Sequence, residues 1–260
     1  MKITIITPSY NAEATIGRTM DSVAAQTLPP FEYLVIDGGS TDNTVALAKA
    51  HPAVTRVISE RDRGIADAFN KGIALSSGDV IGIINADDWY EPHALALSAA
   101  AFSDPSVGVT HGILQYWDGT EKRECFHPRF ETLGVEMTIN HPTVLIRKSA
   151  YSSCGVFDLS YRYAMDYELV LRLKTRGVRF ACIDAVVANM SLQGTSDKHW
   201  IAAYAEVARA KAELLGCPLT AWGYFALQVG RTTSRKLLQQ LGMDGLVRLW
   251  RSRFSVMRKE

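Results

Sequence analysis

Two adjacent carboxylates, Asp87 and Asp88, stand directly after the apolar run Val80–Ile84, in the segment Asn85-Ala86-Asp87-Asp88. Like charges side by side are costly unless a cation or hydrogen-bond donors offset them. A hard divalent ion such as Mg²⁺ or Mn²⁺ uses one or two carboxylates together with substrate phosphate oxygens. Asp87 and Asp88 are therefore candidate metal ligands; the plainer alternative is that they cap a helix starting near Pro92. Two other loops carry polar groups after apolar runs. Pro8-Ser9-Tyr10-Asn11 follows Ile3–Thr7, and Asp37-Gly38-Gly39-Ser40-Thr41-Asp42 follows Tyr33–Ile36. Gly38 and Gly39 let backbone approach a ligand closely. Asp37 beside them suits hydroxyls or a base edge, not a phosphate. Each loop taken alone also reads as an ordinary turn or helix cap.

These loops need a scaffold that opens them at one place. Segments that read as strands, Ile3–Thr7, Tyr33–Ile36, Val54–Ser59 and Val80–Ile84, alternate with helical spacing over Ala12–Gln26, Asn43–Ala50 and Ile65–Ser76. Strands apolar on both faces and separated by helices predict a mainly parallel sheet covered on both sides. Such sheets bind ligands at the carboxyl ends of their strands. After Phe102 the pattern predicts strands at Val107–Tyr116 and Val178–Val187, and helices at Asp166–Arg176 and Asp197–Leu215. The polar stretch Asp118–Arg129 reads as a turn or loop.

Composition narrows the function classes. A net charge of +1 over 260 residues argues against a dedicated nucleic-acid binder. Hydrophobic residues at 47% support a substantial core. Cys125, Cys154, Cys182 and Cys217 show no CxxC spacing, so free thiols in a reducing cytoplasm are expected. No apolar run reaches the length of a membrane span. From Arg231 to Glu260, eight basic residues face two acidic ones.

The segments Thr7-Pro8-Ser9-Tyr10-Asn11, Ile36 through Thr44, Gly64 through Asn70-Lys71-Gly72, Gly78-Asp79 and Asn85-Ala86-Asp87-Asp88, taken in order, resemble the N-terminal half of family-two glycosyltransferases. Asn140-His141-Pro142-Thr143, Gly155-Val156-Phe157-Asp158 and Ala164-Met165-Asp166-Tyr167-Glu168-Leu169 resemble the acceptor-side segments of its polysaccharide-building members. The likeness spans roughly residues 1–196 and is specific as a set. It implies the GT-A fold, inversion at the anomeric carbon and dependence on Mg²⁺ or Mn²⁺. It implies that Thr7, Pro8, Tyr10, Asn11, Asp37 and Gly38 cradle a nucleotide's base and ribose, with uridine suggested. Asp87 would face the ribose or diphosphate, and Asp88 would bind the metal. Relatives often carry Asp-x-Asp where this chain has Asp-Asp, and a Glu-Asp pair where it has Met165-Asp166. Asp67, Asn70 and Lys71 would complete the donor site, although Lys71 also reads as a solvated charge. Asp166 would be the general base, with N-capping as the alternative. His141 is either a diphosphate or metal contact or a structural histidine.

The implied organisation is a catalytic domain over 1–216, with a nucleotide-sugar half (1–104) and an acceptor half (105–216), and a basic helical extension over 217–260. In that extension Leu246, Leu249, Trp250 and Phe254 share one helical face. A basic amphipathic helix suits an anionic membrane surface, which a lipid-linked saccharide acceptor would require. The other readings are packing on the domain or a homodimer contact. The expected location is cytoplasmic, peripheral on the inner membrane. Competing functions are a nucleotidyltransferase and a non-catalytic carbohydrate-binding relative. A nucleotide-dependent oxidoreductase ranks below both, because no GxGxxG follows a strand.

Overall fold

β1 (Ile3–Ser9) is buried along its whole length, with Ile5 in the core beneath one helical layer and Ile6 in the core beneath the other. Burying each such isoleucine contributes about 1.5–3 kcal/mol. The computed structural model describes residues 1–192 and 199–240. Its first half repeats strand and helix: β1, α1 (Ile16–Ala24), β2 (Glu32–Asp37), α2 (Thr44–Ala50), β3 (Arg56–Ser59), α3 (Ile65–Leu75) and β4 (Val80–Ile83). These four strands pair in parallel, in the order β3-β2-β1-β4. Ile16, Met20 and Val23 give α1 its buried face. Gly72 brings α3 onto the sheet, since a Cβ there would meet the Ile6 side chain at 2.6 Å.

The second half is less regular. It comprises β5 (Trp89–Tyr90), α4 (Ala94–Ala101), β6 (Val107–Asp118), β7 (Glu121–Phe126), β8 (Leu145–Arg147), α5 (Lys148–Cys154), α6 (Met165–Thr175) and β9 (Arg179–Ser191). The strands continue one nine-stranded sheet, β3-β2-β1-β4-β8-β6-β9-β5, with β7 paired to β6. β8 runs antiparallel to both β4 and β6, so the sheet is mixed where the sequence predicts mainly parallel. A three-residue strand carries no periodic signal of its own; tertiary pairing alone makes it a strand.

Asp118–Arg129 differs from the loop expectation. Asp118 ends β6, Gly119 turns with φ 61°, and Glu121–Phe126 returns as β7. Its polar residues reflect a strand exposed along most of its length, not an absence of pairing. β9 also runs past the predicted end at Val187, to Ser191.

Two helices follow, α7 (Trp200–Leu215) and α8 (Pro218–Gln240). α8 lies against the domain. Lys211 of α7 sits 3.7 Å from the Tyr224 ring centroid, and the Tyr224 hydroxyl donates to Glu136 at 3.4 Å. Among the described residues no helix is long and apolar enough to cross a membrane. The helical face predicted from Leu246, Leu249, Trp250 and Phe254 lies outside the described residues.

Candidate active site

The parallel strands deliver three loops to one edge of the sheet, and the loops bind one another. Gly38 N donates to Ser9 O at 2.8 Å, and Glu60 N to Asp37 O at 3.0 Å. Asn11 takes the left-handed conformation, φ 48°, and its Oδ1 accepts from Thr41 N at 2.9 Å. Its own N–H donates to Ser40 Oγ at 2.8 Å. Tyr10, at the tip, is 65% exposed. Thr7 and Pro8 are buried, and the Thr7 hydroxyl is paired with that of Tyr33. They support the loop from below.

Asp37 is placed differently from the expectation that it meets a nucleotide. It is 1% exposed, and five donors within the protein fill its carboxylate: Ser9 Oγ, Ser40 Oγ, Ser59 Oγ and the N–H groups of Gly39 and Ser40. Burial alone would raise its pKa, but bonds from Ser40, Ser59 and Gly39 outweigh burial and hold it below the usual carboxylate range. Asp37 thus stays charged and organises the loop. The Asp62 carboxylate lies beside the bare Gly38 backbone, its Oδ2 2.5 Å from where a Cβ at that glycine would stand. The sequence reading missed Asp62; only the loop after β3 brings it there.

The other donor-side candidates are engaged in structure. Asp67 is buried and paired with the guanidinium of Arg63 at 3.0 Å. Lys71 Nζ bridges Glu60 at 2.9 Å and the Arg61 carbonyl at 3.1 Å, anchoring the loop that carries Asp62. Asn70 bonds the backbone of Phe157 with both ends of its amide.

Asp87 and Asp88 are opposite in exposure. Asp87 is exposed, whereas Asp88 is 1% exposed. Burial first, and Asp87 second, push Asp88 well above the usual carboxylate range; Asn85 Nδ2, at 3.2 Å, opposes this. Asn85 Oδ1 is buried without a hydrogen-bond partner among the described residues. Arg18, another residue missed from the sequence, stacks 3.5 Å from the Trp89 ring centroid and donates to the Asp87 carbonyl at 3.0 Å and to Ser191 Oγ at 3.3 Å. The extension of β9 to Ser191 closes this corner.

Asp166 is the second residue of α6, half-buried, with Oδ1 accepting from Tyr167 N at 2.8 Å. Burial raises it above the usual carboxylate range. With His141, Tyr151 and Phe157 it lines a cavity of about 10 Å³, room for roughly one water, whose wall includes Ile83 at the end of β4. His141 stacks on Phe69 with centroids 5.0 Å apart, and its Nε2 has no partner among the described residues. Burial lowers its pKa to about 4, so the ring is neutral at pH 7.

Residues 4–155 match the family model described as glycosyl transferase family 2. The chain belongs to glycosyl transferase family 2. Within this family it is 31% identical over 175 residues to the PGL/p-HBAD biosynthesis glycosyltransferase of Mycobacterium bovis, covering 65% of this chain and 68% of that protein. It is 29% identical over 201 residues to the chondroitin synthase of Escherichia coli, covering 74% of this chain but 29% of that much longer protein. Two solved structures share the fold. S. aureus TarS 1-349 in complex with UDP-GlcNAc superposes with TM-score 0.66 at 18% identity, covering 85% of this chain and 72% of that one. The mannosyltransferase PcManGT from Pyrobaculum calidifontis, in complex with GDP-Man and Mn²⁺, gives TM-score 0.66 at 20% identity, covering 96% and 82%. This family-two member is therefore a glycosyltransferase of GT-A fold, with a mixed sheet flanked by helices.

Proposed function

We propose that this glycosyltransferase transfers a sugar, with inversion, from a uridine diphosphate donor to a saccharide or lipid-linked acceptor. The observation that carries the reading is an exposed carboxylate, Asp87, in the loop beyond β4, together with a half-buried carboxylate of raised pKa, Asp166, that lines a cavity with Ile83 at the end of the same strand. Asp166 removes the proton of the acceptor hydroxyl. The acceptor oxygen then bonds to the anomeric carbon as the bond from that carbon to the diphosphate oxygen breaks, and the diphosphate departs with the electron pair. Burial suits Asp166 to this task, because it raises the proton affinity of a carboxylate.

The residues around Asp87 fit a hard divalent ion. One exposed carboxylate, a second that is buried and an Asn85 Oδ1 without a partner among the described residues leave acceptor oxygens in want of positive charge. Mg²⁺ or Mn²⁺, when bound, offsets charge developing on the leaving diphosphate. Exposure favours Asp87 as the direct ligand and Asp88 as its support, the reverse of the sequence expectation. His141, neutral and stacked, fits a packing role beneath the site.

Tyr10 offers a ring on which a base stacks, and Asp62 an acceptor at the base edge. A carboxylate there favours bases with a ring N–H, uracil or guanine, over cytosine and adenine. UDP in the TarS complex and GDP-mannose in the PcManGT complex are both of this kind. A panel of nucleotide sugars, each with and without EDTA, tests the proposal. Transfer or hydrolysis from a UDP-sugar that EDTA abolishes is expected. Turnover of no nucleotide sugar by the full chain, or turnover indifferent to EDTA, would overturn the donor or the metal reading respectively.

A peripheral membrane location is supported by α8. It exposes Leu219 to 89%, together with Trp222, Leu227 and Leu237, next to a strongly basic stretch of sequence. Co-sedimentation with anionic vesicles, weakened by salt, is the expected result. Absence of binding at low salt would leave α8 as a packing or dimer element.

A further inference from the structure

The loop that leads into Asp166 is held by a helix distant in sequence. Glu206, half-buried on α7, accepts three consecutive backbone N–H groups. Arg162 N lies 3.0 Å from both of its oxygens, Tyr163 N at 2.7 Å and Ala164 N at 2.8 Å. Ala164 immediately precedes α6, and Asp166 follows within its first turn. The same face of α7 grips the rest of the loop. The Tyr161 hydroxyl donates to Glu213 Oε2 at 2.8 Å, and Arg209 bonds Ser160 Oγ. The approach to α6 therefore has its orientation set by α7.

Charge points the same way as geometry. Free N–H groups and the macrodipole at a helix N-terminus stabilise an anion and so weaken a carboxylate as a base. Glu206 occupies the N–H groups just ahead of α6 and adds a negative charge at that end. Among the described residues, the other titratable groups around Asp166 are His141 from the short turn at 141–143, Tyr151 from α5 and Tyr167 on α6 itself. Burial holds His141 and both tyrosines in their neutral forms at pH 7. Among the groups described, Glu206 is then the charge that bears on Asp166, and its direction is to raise it.

We propose that Glu206 is a positioning residue for the catalytic base: it fixes the turn that aims Asp166 and sustains its basicity against the helix dipole. The inference rests on Asp166 being the base. Glu206→Gln keeps one acceptor but loses the charge. It should lower kcat about tenfold, leave donor KM within about twofold, and move the acid limb of the pH–rate profile to lower pH. Glu206→Asp, which keeps the charge, should restore the limb. A Glu206→Gln enzyme with a wild-type limb, whether kcat is kept or falls with Tm, would make Glu206 a packing residue and overturn the proposal. Should Glu206→Gln fail to fold, Glu206→Asp combined with Asp166→Asn decides. If Glu206 acts through Asp166, the double variant is no slower than Asp166→Asn alone; additive losses overturn the proposal. Normal kcat in Asp166→Asn alone would instead remove the base reading, and this inference with it.

Discussion

The Asn70 side chain exchanges two hydrogen bonds with the backbone of Phe157, donating from Nδ2 to the carbonyl at 2.8 Å and accepting at Oδ1 from the N–H at 3.0 Å. This pair ties α3 to the segment ahead of α6. Asn70→Ala leaves two backbone groups without their partners, a loss of about 2–3 kcal/mol. Thermal unfolding should show a lower Tm while UDP affinity measured by calorimetry changes little. A tenfold loss of UDP affinity with unchanged Tm would instead return Asn70 to the donor site.

The unequal exposure of Asp87 and Asp88 predicts unequal consequences. Asp88→Asn alters a buried support and should weaken Mn²⁺ binding about 10–100-fold. Asp87→Asn removes the exposed ligand and should weaken it further, with most of the transfer rate lost. Mn²⁺ titrations of activity compare the two directly; a larger defect in Asp88→Asn would reverse the assignment.

Asp166→Asn should reduce kcat by about 10²–10⁴ with donor affinity retained. The same change should stabilise the protein at neutral pH. Burial raises the folded-state pKa of Asp166, so its charged form costs stability above that value and the cost disappears below the unfolded value. The Tm advantage of Asp166→Asn should therefore shrink as pH falls. A variant less stable than wild type at pH 7 would contradict this.

Two buried histidines contribute to the acid behaviour. His111 is 1% exposed with both ring nitrogens unpartnered among the described residues, and burial lowers it to about 4. His141 is lowered to about 4 for the same reason. A histidine depressed in the folded state favours folding above its unfolded value, and that contribution is lost as pH falls from about 6.5 towards the folded value. Denaturant midpoints should drop across this window. His111→Leu, close in volume and uncharged, should flatten the drop; an unchanged slope would mean that His111 does not titrate on unfolding.

Much of the first half of the fold was legible in the sequence. Val80–Ile83 and Ile3–Thr7 are rich in isoleucine and valine and carry no charge because both faces of their strands are covered, and that pattern survives in one dimension. The polar loops at their ends followed from the rule that such strands open on ligands. β8, by contrast, is three residues long, and β7 is polar along its exposed edge. Neither carries a period, since only their neighbours make them strands.

The sequence by itself determined which residue types reach the site's edge: the tyrosine and asparagine after β1, the acidic glycine loop after β2 and the paired aspartates after β4. Tertiary structure decided what each is free to do. Asp37 is consumed by five internal donors, Asp88 is sealed while Asp87 is open, and Asp62, Arg18 and Glu206 arrive from elsewhere in the chain. The reason is physical. Residue identity supplies charge and hydrogen-bonding capacity, but availability depends on desolvation and on partners already bound, and both are set by contacts between segments far apart in sequence.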